Sequence, residues 1–262
     1  MSGISAIFAI FLVGLVAPAN AQSVVLVRPA TQWGSVYAGP ATTAKQDTTP
    51  KVAHLEKKAK FIVKYNNFPE WTKIQVQAAI DTWAENFDSK VPIYIDATWG
   101  RSSSFSVLGS ARPGSYFANF SGAPDASLWY PSALANALAG KDLDGDNPEM
   151  VITVNSLATW YRGGSNGPSR SEYDLQSVIL HEMAHGLGFL STDSYDNFFG
   201  YGSIDQPTPY DAYVQTGDGR RLSDLPSPSL ELGEALTSKL VWSGTQGIAA
   251  NGGVKPLLYT PK

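Results

Sequence analysis

The chain has 262 residues and is 43% hydrophobic, with seven Trp, twelve Tyr and eleven Phe, which is enough for a sizeable core. It contains no cysteine, so disulfides, thiolate metal ligands and a cysteine nucleophile are excluded. A net charge of −4 and a pI near 5.4 leave no basic surface for nucleic acid.

Residues 1–21 read as a secretory signal peptide. An apolar run from Ile4 to Val16 precedes Ala-Asn-Ala at 19–21, which suits cleavage before Gln22. The run is shorter than the ~20 residues of a spanning helix and no basic stop-transfer cluster follows it. The expectation is a secreted protein, extracellular or periplasmic, with no membrane association after cleavage. Residues 22–60, with "GPATTAKQDTTPKVAHLEKKAK", lack sustained periodicity and read as a flexible N-terminal arm or short pro-segment.

Order is expected over 61–262. "KFIVKY" alternates as a strand, and "EWTKIQVQAAIDTWAENF" carries its apolar residues at helical intervals. "VPIYIDATW" (91–99), "SFSVLGSA" (104–111) and "EMVITVNS" (149–156) read as further strands, the last a core strand or an edge strand beside a cleft. "PSALANALAG" (131–140) reads as a short helix. Asp174 is placed to cap the helix "DLQSVILHEMAHGLGF", which glycines 186 and 188 then break. This order predicts an α+β domain with a mixed sheet. Trp129, Tyr130, Trp160 and Tyr161 are assigned to core packing, with a pocket lining as the alternative.

The chemistry lies in the last of these helices. His181 and His185, four residues apart, share one helix face and can direct imidazole nitrogens at one zinc ion. Glu182 lies about 100° around the helix, within reach of a water on that ion without ligating it. Such a zinc-activated water with Glu182 as general base, later returning the proton to the leaving amine, suits peptide-bond hydrolysis.

"HEMAHGLGF" resembles the zinc metallopeptidases of zincin-like fold, and Gly188 matches the turn glycine of the metzincin pattern H-E-x-x-H-x-x-G-x-x-H. The segment from about 61 to 260 is also similar to a little-characterised group of secreted bacterial proteins with H-E-x-x-H-G-L-G-F, a tryptophan-bearing N-terminal helix and a "VPI" strand. The resemblance implies a zincin-like fold, His181 and His185 as zinc ligands and Glu182 as the base. Two features depart from the metzincin pattern. Ser191 stands at the third-ligand position, and the Met-turn is missing, since the methionines are Met1, Met150 and Met183.

The third ligand therefore stays open among Asp193, Asp205, Asp211, Glu231 and Glu234, with His54 of the arm a further candidate. The resemblance adds one alternative, a ligand beyond a truncated C-terminus, because the similar proteins continue into a segment with a further histidine and a methionine. "DLDGDNPE" places Asp142, Asp144 and Asp146 alternately, as in the start of a calcium loop, without the glycine and glutamate of an EF-hand. A polar turn is the simpler reading. The expected function is a secreted zinc metalloendopeptidase acting on peptide or protein. The rivals are an inactive zinc-binding adhesion or interaction module and a hydrolase of non-peptide amides.

Overall fold

The computed structural model describes residues 25–38, 56–102, 104–163 and 167–260. The expected signal peptide and His54 lie outside them. The chain is a mixed α+β structure with five α-helices among the described residues.

Two short strands come first, β1 (Leu26–Pro29) and β2 (Gly34–Tyr37). The expected arm is thus partly strand. Strand β3 (Phe61–Asn66) leads into helix α1 (Glu70–Asn86), which crosses to β4 (Ile93–Gly100). Next come β5 (Val107–Pro113), β6 (Ser115–Ala118), β7 (Tyr130–Pro131) and α2 (Ser132–Ala139). Strand β8 (Met150–Asn155) and helix α3 (Leu175–Gly186) follow.

The main sheet has the order β2-β5-β8-β4-β3. Strands β3, β4 and β8 are parallel, while β5 is antiparallel to both β8 and β2. Strand β8 is therefore central rather than at an edge. Its backbone bonds are taken on both sides, and Met150, Ile152 and Val154 are buried. The period-2 pattern sends Ile93, Ile95 and Ala97 of β4 into the same core. There they meet Val76, Ala79 and Ile80 of α1 and Leu175, Ile179 and Met183 of α3.

Leu175, Ile179 and Met183 are at most 1% exposed, and each contributes about 1.5–3 kcal/mol through burial. The indole N–H of Trp83 donates to the Leu180 carbonyl at 3.0 Å and fixes α1 against α3. Tyr130 and Trp160 are buried as core residues.

A smaller C-terminal lobe follows α3. It contains the hairpin β9 (Ser194–Tyr195) and β10 (Gly202–Ser203), then β11 (Val214–Thr216) and α4 (Leu230–Leu236). Strand β12 (Leu240–Trp242) pairs with β11, and α5 (Thr245–Ala250) comes last. Val214, Leu222, Leu232, Ala235 and Leu240 form its own core.

Candidate metal centre

Helix α3 starts where Asp174 accepts a hydrogen bond from the Ser177 N–H at 2.7 Å, as its position predicts. Its buried stripe fixes the rotation of the helix, and that rotation sets where the motif points. Met183 is turned into the core and His181 towards solvent, with His185 half-buried. The two Nε2 atoms converge to 2.9 Å, with the rings edge to face. His185 Nδ1 lies 2.8 Å from the Phe189 carbonyl oxygen, which only accepts. This bond places the proton of the neutral ring on Nδ1 and leaves the lone pair on Nε2, which faces His181 Nε2. Burial lowers the pKa of both imidazoles, and the neighbouring His185 lowers that of His181 further, which favours the neutral, ligating form.

The Phe189 carbonyl reaches His185 because the chain turns at once after the helix. Gly188 has φ +111°, a conformation that glycine adopts without strain, and a Cβ there would lie 2.5 Å from Pro131 Cγ. The Phe189 ring packs on Tyr210 (4.8 Å between centroids) and Trp242 (5.5 Å), so the turn is pinned to the C-terminal lobe. The phenylalanine that closes "HGLGF" was the available sequence signal for this contact.

Glu182 is fully buried. Its Oε1 accepts from the Val36 N–H of β2 at 3.1 Å, and its Oε2 is enclosed without a hydrogen-bond partner. Burial pushes this carboxyl up to about 8, against the opposing pull of the Val36 bond. Gly34 of β2 lies against the His185 ring, where a Cβ would come within 2.2 Å of Cγ and Cδ2. The sequence reading missed both residues, although the β-branched run "SVVLV" and the alternation in "GSVY" were signs of strand.

Among the described residues, one set of three or more metal-binding side chains brings its ligand atoms within 4.8 Å of one another: Asp142, Asp144 and Glu149. Among the described residues, no carboxylate therefore completes a three-ligand set with His181 and His185. Asp193 and Asp211 are instead neighbours that share Ser191, with Thr208 bonded to Asp211 alone, and burial together with repulsion from Asp211 raises Asp193 to about 8. Asp205 and Glu234 are exposed, and Glu231 pairs with Arg220 at 2.7 Å. Ser191 accepts from the Asp193 N–H at 3.0 Å.

The acidic set corrects the expected trio, because Glu149 rather than Asp146 joins Asp142 and Asp144. Asp146 is exposed on the turn, whereas Glu149 is drawn in by the Tyr94 N–H (2.6 Å) and the Asn136 amide (3.0 Å). Burial is the main cause that raises Glu149 to about 7, with Asp142 and Asp144 adding to it. Both Asp144 carboxylate oxygens are buried without a hydrogen-bond partner, and the triad could hold a metal ion. A groove of about 490 Å³ lies beside it, lined by Ile62, Tyr94, Asp96 and Asp142. Comparison with protein-family models, with curated proteins and with solved structures gave no match.

Proposed function

We propose that the chain is an exported zinc metallopeptidase of zincin-like fold, with His181 and His185 as metal ligands and Glu182 as general base. The observation that carries this reading is the convergence of two neutral imidazoles on one helix face, with the His185 tautomer set by the Phe189 carbonyl. The buried Glu182 directly after the first ligand adds to it, since a purely structural metal site has no use for a base there.

When bound, zinc supplies Lewis acidity to a water molecule and to the scissile carbonyl. The residues of the chain do the rest. His181 and His185 would hold the ion, Phe189 keeps His185 oriented, and Glu182 would take a proton from the water and return it to the leaving amine. Calcium is the proposed occupant of Asp142, Asp144 and Glu149, because an all-oxygen donor set suits a hard cation.

A second reading, a zinc-binding interaction module without turnover, is favoured by the lack of a third ligand among the described residues. Metal analysis and a general protease assay separate the two. The peptidase reading expects about one zinc per chain and chelator-sensitive hydrolysis. It also expects Glu182→Ala to lose ~10²–10⁴-fold in rate while zinc is retained. Zinc without turnover, in the parent chain and in variants with Glu182 uncovered, would leave the binding module.

A further inference from the structure

We infer that the N-terminal segment 26–37 occupies the position an extended peptide substrate takes at this site, so that the chain with the segment docked is latent. The inference rests on the peptidase reading of the histidine pair and adds its regulation and its mode of substrate binding.

Four observations carry it. Strands β1 and β2 run antiparallel along 107–118, with Leu26–Pro29 opposite Ser115–Ala118 and Gly34–Tyr37 opposite Val107–Ala111. Strand β2 therefore covers the edge of β5 that borders the site, while β1 lies on β6, and such an edge binds peptides by strand addition. Next, β2 covers the catalytic groups themselves. The Val36 N–H bonds to Glu182 Oε1, and Gly34 is the residue against the His185 ring. His181 remains exposed, so a metal has access while the base does not.

Third, the segment has few buried apolar side chains beside its backbone pairing, its other anchors being Arg28 over the Tyr116 and Trp129 rings, the Ser35–Ser110 hydroxyl pair and Val36 against the main core. Ala30 is its one fully buried apolar residue among the described ones, whereas Leu26, Val27, Trp33 and Tyr37 are exposed. Finally, β2 is topologically detachable. The next strand in sequence, β3, lies at the opposite edge of the sheet, although consecutive strands usually neighbour each other. The sheet left without β2 keeps β5, β8, β4 and β3 with both packed helices.

Displacement of the segment frees the Glu182 carboxyl and the outer edge of β5 together. A substrate then adds antiparallel to β5 and lies across the face of Glu182 and His185.

The test uses the full chain with two alternative substitutions. Gly34→Val drives a side chain into the His185 ring, and Val36→Pro removes the N–H that binds Glu182 while staying compatible with an edge strand. Three readouts are taken on the zinc-loaded proteins: amide exchange over 34–37 and 107–113, binding of a labelled synthetic peptide spanning residues 32–38, and casein hydrolysis. At least one variant is expected to lose protection at both strands, bind the peptide at least tenfold more tightly than the parent, and hydrolyse casein at least tenfold faster.

Unchanged protection in both variants overturns the inference, as does a freed edge that does not bind the peptide. Parent activity equal to that of a variant with a freed strand also overturns it and leaves the peptidase reading intact. A freed edge that binds peptide without any turnover removes the peptidase reading, and latency with it, while strand occupancy stands.

Discussion

Asp193→Asn separates a buried acid pair from a metal ligand. Asp211 is 4% exposed, and its Oδ2 accepts from the Thr208 N–H (2.8 Å), the Thr208 hydroxyl (2.9 Å) and the Thr192 hydroxyl (3.3 Å). Each aspartate has an Oδ1 enclosed without a partner, so the three donors to Asp211 Oδ2 are what distinguish the pair. Asp211 therefore carries the charge and Asp193 the proton, and burial followed by repulsion from Asp211 raises Asp193 from 3.8 to about 8.

A carboxyl raised on folding makes the native state bind more protons than the unfolded chain between these two values. Its contribution to stability is complete below about 4 and is lost as the pH rises through about 8. Between pH 5 and about 8 the shifted group spans three pH units, which sets an upper bound of about 4 kcal/mol at ~1.4 kcal/mol per tenfold. Asparagine keeps the shape of the neutral acid and does not titrate. Chemical denaturation at pH 5 and pH 9 should show the parent losing up to about 4 kcal/mol more than Asp193→Asn over that interval. Zinc content should be equal in the two proteins at pH 7. Equal pH dependence, or loss of zinc in Asp193→Asn, would refute the assignment and return Asp193 to the metal site.

Gly188→Ala meets both an unfavourable φ and the Pro131 ring, so it should destabilise the chain by about 1–3 kcal/mol and weaken zinc binding through the Phe189–His185 contact. Thermal melts and a zinc competition titration would check it, and unchanged zinc affinity would uncouple the turn from the site. Asp174→Ala removes the α3 cap and should cost about 1 kcal/mol in denaturant unfolding, with an unchanged m-value. Calcium at 100 times its dissociation constant should stabilise the parent by about 2.7 kcal/mol and leave Asp144→Asn and Glu149→Gln unaffected. Equal stabilisation of all three by calcium would place the ion elsewhere.

Much of the framework was legible in the sequence because it depends on local periodicity. The strands at 61–66 and 93–100, helix 70–86 and the capped helix 175–186 each carry their pattern within one element. The convergence of His181 and His185 follows from helical spacing alone.

What stayed hidden depends on partners far away in the chain. Val36 meets Glu182 across 146 residues, and no local pattern near Gly34 announces that contact. The lack of sustained periodicity in the arm suggested flexibility, but pairing with β5 and β6 orders parts of it, with Val36 and Ala38 packed on the main core. "MVITVN" reads equally as edge or centre until its neighbours on both sides are known. Glu149 displaced Asp146 from the acidic triad because the turn carries Asp146 outward, while Tyr94 and Asn136 draw Glu149 in.

The most direct test of the central claim is zinc K-edge absorption spectroscopy of the zinc-loaded chain at neutral pH. A first shell with two imidazole nitrogens at about 2.0–2.1 Å, reduced to one imidazole in His181→Ala, is the predicted result. A shell without imidazole, or one unchanged by His181→Ala, would contradict it.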